Sequence, residues 1–572
     1  MPDRANASRH EPSRKFHYAA ALAVVLPAII LISPFLLFAK FNNYELIKVE
    51  IVTVSAFIVI IGAFIGIILN SSSSLTRTLT LSLAIALFLD FQFGFQTIIK
   101  ESFSDAEVRW ISWGMLGSIA FAGMYLGCCL ICWILRRHAV VVAAVVFSSI
   151  LIGVIALPVG SVATGVRSAR TASDAPDSAL PPILHLILDE HGGLDSFPMA
   201  SEGAPISAEY LHAFFREFGF RIYPSAYSLY QGTVDSISKL LNYSTSELAG
   251  EFILKKDRNY IVSDNKYLES LAKKGYRIFV YQSDFLQVCD SDVVEFSSCY
   301  QYPSNSIGTI SNSNLNIFDK IRLIASQYLE LSFLYQTVRT LYNKKIYSEW
   351  SDRIPIPPWN WERNRLGPLP VSPVIRRLTD DVIANPTGSA FFAHLLTPHY
   401  PYIYNGECSI KNVGNWEGLR DRYVVEPRSD EQSARAGDYS AYFEQVKCLY
   451  RQLQTLFMRM KDRDLLDNAT IILHGDHGSR ILGLETEKPG GEKLANDVLV
   501  DRFGTLLAIK SPTIEPGIDR TRSAIHYVLP AFWTGEAVEP HEAFVYSGQT
   551  ALQSGNSLVR RELLPAGELL ED

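Results

Sequence analysis

Between Phe16 and Val162 the chain carries five long apolar runs, at 17–39, 49–70, 78–98, 110–135 and 139–160. Each is long enough for the about 20 helical residues that a bilayer core demands. Residues 16–162 are therefore expected to form a transmembrane region. The short connections set its orientation. Arg4, Arg9, Arg14 and Lys15 precede the first run, Arg77 follows the second, and Arg136 and Arg137 follow the fourth. The alternate connections are poor in cations or acidic, as at Glu101, Asp105 and Glu107. Cations mark the cytoplasmic side, so residues 1–15 read as a cytoplasmic N-terminus. An odd number of spans then exports the chain beyond residue 163. A cleaved signal peptide over residues 1–40 fits less well, because the apolar stretch is too long and no small-x-small cleavage site follows it.

The remainder has the mixed composition of a soluble domain, and 572 residues leave room for two or three domains. A net charge of -7 argues against a nucleic-acid partner, which calls for a basic patch or excess. Cys128, Cys129 and Cys132 lie within the fourth apolar run and read as packing residues. The other four form two local sets, Cys289/Cys299 and Cys408/Cys448. An even number outside the membrane fits an oxidising compartment and two disulfides, for which the sequence-local pairing is favoured.

Residues 163–182, rich in Ser, Ala, Asp and Pro, read as a linker. Beyond them apolar strands are expected at 183–188, 277–281, 390–396, 469–474 and 503–509, alternating with helical patterns. The best helix is at 439–461, where Tyr442, Phe443, Val446, Leu449 and Tyr450 begin a run of three-four spacing. Strands separated by helices imply an α/β domain over 183–572, with a mainly parallel sheet and helices on both faces. Residues 300–375 break the rhythm. An Asn/Ser-rich stretch, a helix near 317–342 and the Pro-rich segment 354–361 suggest an insertion over the sheet edge.

Two of those strands end in acids. Ile183–Leu188 runs into Asp189, with Glu190 next to it, and Ile471–Gly475 runs into Asp476 and His477. Acids and an imidazole at the carboxyl ends of parallel strands suggest one metal site at that sheet edge. A third element is Gly232-Thr233, directly before the helical pattern of Val234–Leu241. There free N–H groups and the helix dipole favour an anion. Taken alone, Thr233 reads as an N-cap. Beside a metal its hydroxyl becomes a competent nucleophile, since a base or metal must remove its proton. A histidine pair, His394 and His399, belongs to a middle strand and the loop after it. His394, inside the apolar pattern, reads as a satisfied core histidine, and His399 as the one at the site.

The order of these features resembles the alkaline-phosphatase superfamily. More closely, it resembles the membrane-anchored, sulfatase-like branch of lipoteichoic acid synthases, phosphoethanolamine transferases and phosphoglycerol transferases. The resemblance covers the whole chain in outline, since those enzymes also place five spans before an exported catalytic domain. It implies an alkaline-phosphatase-like fold and a multi-pass protein of the inner (plasma) membrane with a periplasmic or extracellular catalytic domain. It further implies one divalent ion, Mn or Zn before Ca, held by Asp189, Thr233, Asp476 and His477. Thr233 would be the nucleophile of a transferase or hydrolase acting on a phospho-linked substituent of an envelope lipid or glycan. His399 would contact the transferred group.

Three departures qualify this. The first acid is often Glu in the transferases but is Asp189 here, which leaves Glu190 as an alternative ligand. No His follows within Gly478–Lys488, so a single ion is expected rather than two. No Cys stands in a Cys-x-Pro-x-Arg context, which disfavours a sulfuric ester hydrolase of the formylglycine type. A non-catalytic membrane scaffold with a degenerate sulfatase-like domain is the other alternative, and the competent residue at each expected position argues against it. Arg480 and Arg502 are candidate phosphate clamps, with Arg480 preferred because it lies so close to His477. Asp90, read as mid-span in the third run, is either functional or paired with polar groups of a neighbouring helix.

Overall fold

The computed structural model describes residues 14–71, 73–93, 113–135, 138–156, 167–168, 180–197, 204–256, 259–289, 294–304, 307–311, 313–350, 353–354, 366–413, 416, 431–482, 495–536, 542–547 and 558–564. The chain divides into two compact units: Met1–Val162 with Leu315–Asn364, and Ala163–Asn314 with Arg365–Asp572.

The first unit contains the apolar runs as helices at Arg14–Phe41, Val49–Ser71, Ser74–Phe93, Trp113–Ile134 and Ala139–Ala156. Four of these are long and apolar enough to cross a membrane; in the helix from Trp113 the described apolar stretch, Ser118–Ile134, is shorter. Small residues let the first two helices approach closely. A Cβ at Gly66 would stand 2.1 Å from the Val24 carbonyl oxygen, and one at Gly62 would stand 2.4 Å from Ala28 Cα. Arg4 and Arg9, Glu101–Glu107 and Arg136–Arg137 lie outside the described residues.

The expected insertion belongs with these helices and not with the sheet. Its single expected helix is two, Ile317–Leu329 and Phe333–Leu341. Tyr328 stacks on Phe91, with ring centroids 4.5 Å apart, and meets Phe35 edge-on at 5.1 Å. The bounds are narrower too, because Ser298–Tyr302 is a sheet strand and Val371–Ala384 a helix packed on the sheet. Tyr328 of the first inserted helix is covered by membrane-region aromatics, a partner that a sequence pattern alone does not specify. The Pro-rich segment is outside the described residues beyond Ile354.

The second unit is built on a nine-stranded sheet. Its strands are β1 Arg167–Ser168, β2 Ile183–Leu188, β3 Arg221–Ile222, β4 Arg277–Ser283, β5 Ser298–Tyr302, β6 Ser389–Leu395, β7 Thr470–Gly475, β8 Leu507–Lys510 and β9 Gly517–Ile518. Their order is β1-β5-β4-β6-β2-β7-β8-β3-β9. The central run β5-β4-β6-β2-β7 is parallel; β1 and β8 join it antiparallel. The fifth expected strand is corrected to 507–510, since Phe503 ends a helix that begins at Asn496. The short strand at Arg167–Ser168 falls inside the expected linker, whose residues 169–179 lie outside the described set.

Both faces of β2 are buried, as a central parallel strand requires. Leu184, Leu186 and Leu188 pack against the long helix Glu431–Lys461, while Ile183 and Ile187 join Val234, Ile237 and Leu241 of the helix Thr233–Leu241. Disulfides join Cys289 to Cys299 and Cys408 to Cys448, the sequence-local pairing.

Candidate metal and nucleophile site

Strand alternation explains why the two acids meet the helix that begins at Thr233. Successive side chains of a strand point to opposite faces. Asp189 continues the face of Ile183, His185 and Ile187, and Asp476 continues that of Ile472 and His474. Helix Thr233–Leu241 covers this face: its Leu240 packs with Ile472, and its Val234, Ile237 and Leu241 with Ile187. The ladder itself extends to Asp189, whose N–H donates to the Leu395 carbonyl at 3.0 Å.

Asp189, Asp476 and His477 are all buried, and each offers a ligand atom within 4.8 Å of the others'. His477 Nε2 lies 3.2 Å from Asp476 Oδ2 and 4.0 Å from Asp189 Oδ1. Thr233 Oγ1 is 3.3 Å from the same nitrogen. His477 Nδ1 lies 2.9 Å from the Gly478 carbonyl oxygen, to which it donates, and this turns Nε2 towards the group. The outer oxygens are left over: Asp189 Oδ1 and Asp476 Oδ2 have no hydrogen-bond partner. Asp476 Oδ1, by contrast, accepts from the N–H groups of Glu190 and His477 at 3.1 and 3.0 Å. Burial works against ionisation of Asp189. The imidazoles of His399, His394 and His477 outweigh it and hold the carboxyl below its usual range.

Thr233 is the first residue of its helix, and the N-cap is Gly232 in extended backbone with no side-chain cap bond. The hydroxyl is therefore not spent on capping. One turn on, Ser236 Oγ donates to the Asp476 carbonyl at 2.6 Å and ties the helix to the strand end. The turn that carries Asp476-His477 is tight: a Cβ at Gly478 would stand 2.0 Å from the Asp501 carbonyl oxygen, and one at Gly475 2.4 Å from that of His191.

Glu190 is not in the metal-type group. Its carboxylate accepts from Arg480 Nε at 3.0 Å, pairs with Arg480 Nη2, and accepts from the Tyr400 N–H at 3.2 Å. His399 Nε2 lies 3.8 Å away, and its Nδ1 donates to the Tyr400 carbonyl. Glu190 and Arg480 both adopt left-handed backbone, with φ of 63° and 58°, a conformation that non-glycine residues rarely hold without a local reason. Arg480 and His399 thus gather beside the acids; Arg502 is buried.

One residue was assigned to the core and belongs here. His394 is buried, but its Nδ1 has no hydrogen-bond partner and its Nε2 lies 3.5 Å from Asp189 Oδ2. Alternation puts His394 on the face of Ala390 and Phe392, and their packing with Ile187 makes that the face of Asp189.

Neither a protein-family model nor a curated protein matches the chain. Solved structures similar to it include the C-terminal periplasmic domain of EcEptC from Escherichia coli, at 11% identity over 69% of this chain and 96% of that one, with a TM-score of 0.37. A protein in the alkaline phosphatase superfamily from Vibrio parahaemolyticus follows at 12% identity, 68% and 78% coverage and 0.34. The phosphonate monoester hydrolase SpPMH from Silicibacter pomeroyi stands at 14%, 63% and 74%, and 0.34.

Proposed function

We propose that this chain is a membrane-bound, metal-dependent transferase or hydrolase. It would act on a phospho-linked substituent, of phosphoglycerol or phosphoethanolamine type, of an envelope lipid or glycan. The observation that carries this reading is the convergence of Thr233 Oγ1 on His477 Nε2, beside two buried carboxylate oxygens that no donor satisfies. An unpaired buried oxygen of an ionised carboxylate is costly, and a cation between Asp189 and Asp476 would offset that cost. The donor set fits. Asp189, Asp476, His477 and Thr233 would hold one divalent ion, and oxygen donors with one imidazole suit Mn or Zn. When bound, the ion would lower the pKa of the threonine hydroxyl and counter the charge on the reacting phosphate.

The chain's own groups account for the rest. His477, oriented by the Gly478 carbonyl, presents Nε2 to the site. The first N–H groups of the Thr233 helix face the same end as its hydroxyl and favour an anion there. Thr233 Oγ would attack phosphorus, forming a phosphothreonine as the bond to the donor's leaving oxygen breaks; that oxygen takes up a proton. An acceptor hydroxyl or water then attacks phosphorus, and Thr233 regains its proton. His399 would contact the transferred group, and Arg480, oriented by Glu190, would donate to its oxygens.

The test uses the full chain in detergent or nanodiscs with a chromogenic phosphodiester. Turnover should vanish on chelation and return with Mn²⁺ or Zn²⁺, and a sulfate ester should not be turned over. Unchanged turnover after complete metal removal would contradict the reading.

A further inference from the structure

The inserted segment joins the membrane helices at one end of the bundle. Tyr328 packs on Phe35, Phe38 and Phe91, all near the C-terminal ends of the first and third helices. The same end carries Lys40, whose Nζ donates to the Ile155 carbonyl of the last membrane helix at 2.7 Å. Asp90, near the end of its helix and not mid-span, is buried there. It accepts from Ser332 Oγ at 2.6 Å, from the Phe333 N–H at 3.0 Å and from the Leu334 N–H at 3.4 Å. A carboxylate on a membrane helix thus closes the N-terminus of the inserted helix Phe333–Leu341, and the pairing alternative for Asp90 holds.

With one side so anchored, the segment leaves apolar residues uncovered. Val338, Leu341, Ile346 and Trp350 are exposed at intervals that keep them near one side of the helical run from Phe333 to Trp350, and Ile354, just beyond it, is exposed as well. Arg353 lies 5.9 Å over the Trp350 ring. Aromatic and basic residues at the edge of an apolar strip are what the boundary between headgroups and acyl chains selects. The helix Trp113–Ile134, against which Phe333–Leu341 packs, is itself exposed and apolar at Ile119, towards the same end, as a lipid-facing helix is.

We propose that residues 333–350, with Arg353 and Ile354, form a foot that lies in the membrane interface, with Val338, Leu341, Ile346, Trp350 and Ile354 buried in the outer acyl-headgroup boundary. The occupant is lipid, because the strip belongs to the same compact unit as the membrane helices and continues their lipid-facing surface. This goes beyond the proposed reaction and does not depend on it. It assigns the insertion to membrane seating.

Full-length protein carrying Ile346→Cys, labelled with an environment-sensitive fluorophore, is placed in nanodiscs of phosphatidylcholine and phosphatidylglycerol. Unsubstituted protein treated identically gives the background from Cys128, Cys129 and Cys132. Trp350→Cys is the second position should the first fail to fold. The expected result is a blue-shifted emission, quenched by nitroxide on the upper acyl chain and shielded from iodide. Emission as in water, quenched by iodide and not by the lipid nitroxide, would overturn the proposal. So would the same behaviour of a Thr513→Cys label in the catalytic unit, since the lipid signal would then not be specific to the foot.

Discussion

Thr233 Oγ1 and His477 Nε2 stand 3.3 Å apart, one at a helix start and the other just past a strand end. The helix is held over the strand by Ser236 and by the packing of Leu240 on Ile472, so the two atoms are set by the fold and not by a mobile loop.

Replacing Thr233 by Ala should abolish turnover and leave the melting temperature nearly unchanged. Gly232 is the cap and Thr233 makes no capping bond, so the loss should stay below the about 1 kcal/mol of a typical cap deletion. Thermal melts alongside phosphodiester turnover provide the check. Substantial residual activity would remove Thr233 as nucleophile.

Asp476→Asn and His477→Ala should each lose bound metal, read by elemental analysis of the purified full-length protein. Because an ion that binds only the folded state stabilises it, chelation should lower the melting temperature of the wild type and barely affect these variants. Undiminished metal in both would refute the ligand set.

Much of this was legible in the sequence. Ile183–Leu188 and Thr470–Gly475 are apolar runs, each interrupted by a single histidine and followed by an acid, as suits strands buried on both faces, and the start of the Thr233 helix is marked by Gly232. The two-residue strands Arg221–Ile222 and Gly517–Ile518, the last two at one side of the sheet, are too short to carry a pattern and exist only through their neighbours. His394 was misread because an apolar surround says nothing about which face a strand residue takes until the register with Ile187 is known. The inserted helices were expected over the sheet because an amphipathic face records that it is covered, not by what.

Acid should destabilise the catalytic unit through His526. Burial holds this imidazole down at about 3, against an ordinary value of 6.5, although its Nε2 donates to the Ser236 carbonyl at 3.1 Å. Below 6.5 the unfolded chain takes up a proton that the folded chain refuses. Stability therefore falls as pH drops from 6.5 towards 3, by up to about 1.4 kcal/mol per pH unit for one proton. In His526→Gln that component is absent, so the wild-type advantage in melting temperature should shrink between pH 7 and pH 4 (about the span over which one histidine of ordinary pKa charges). A gap that stays constant would contradict the assignment.

Asp90→Ala should loosen the inserted segment. Three donors lose their acceptor, and leaving buried donors unsatisfied costs about 1–3 kcal/mol. Limited proteolysis should cut within 342–364 faster than in wild type, while both disulfides persist. Identical cleavage rates would mean that Asp90 does not hold the segment.

The central claim is that Thr233 carries the transferred group. Peptide mass spectrometry of wild-type protein quenched in acid during turnover tests it directly. The expected result is a phosphorus-containing adduct on Thr233, absent from Thr233→Ala and from metal-depleted wild type, with a mass that names the group transferred. Steady turnover with an unmodified Thr233 peptide, or an adduct on another residue, would contradict it.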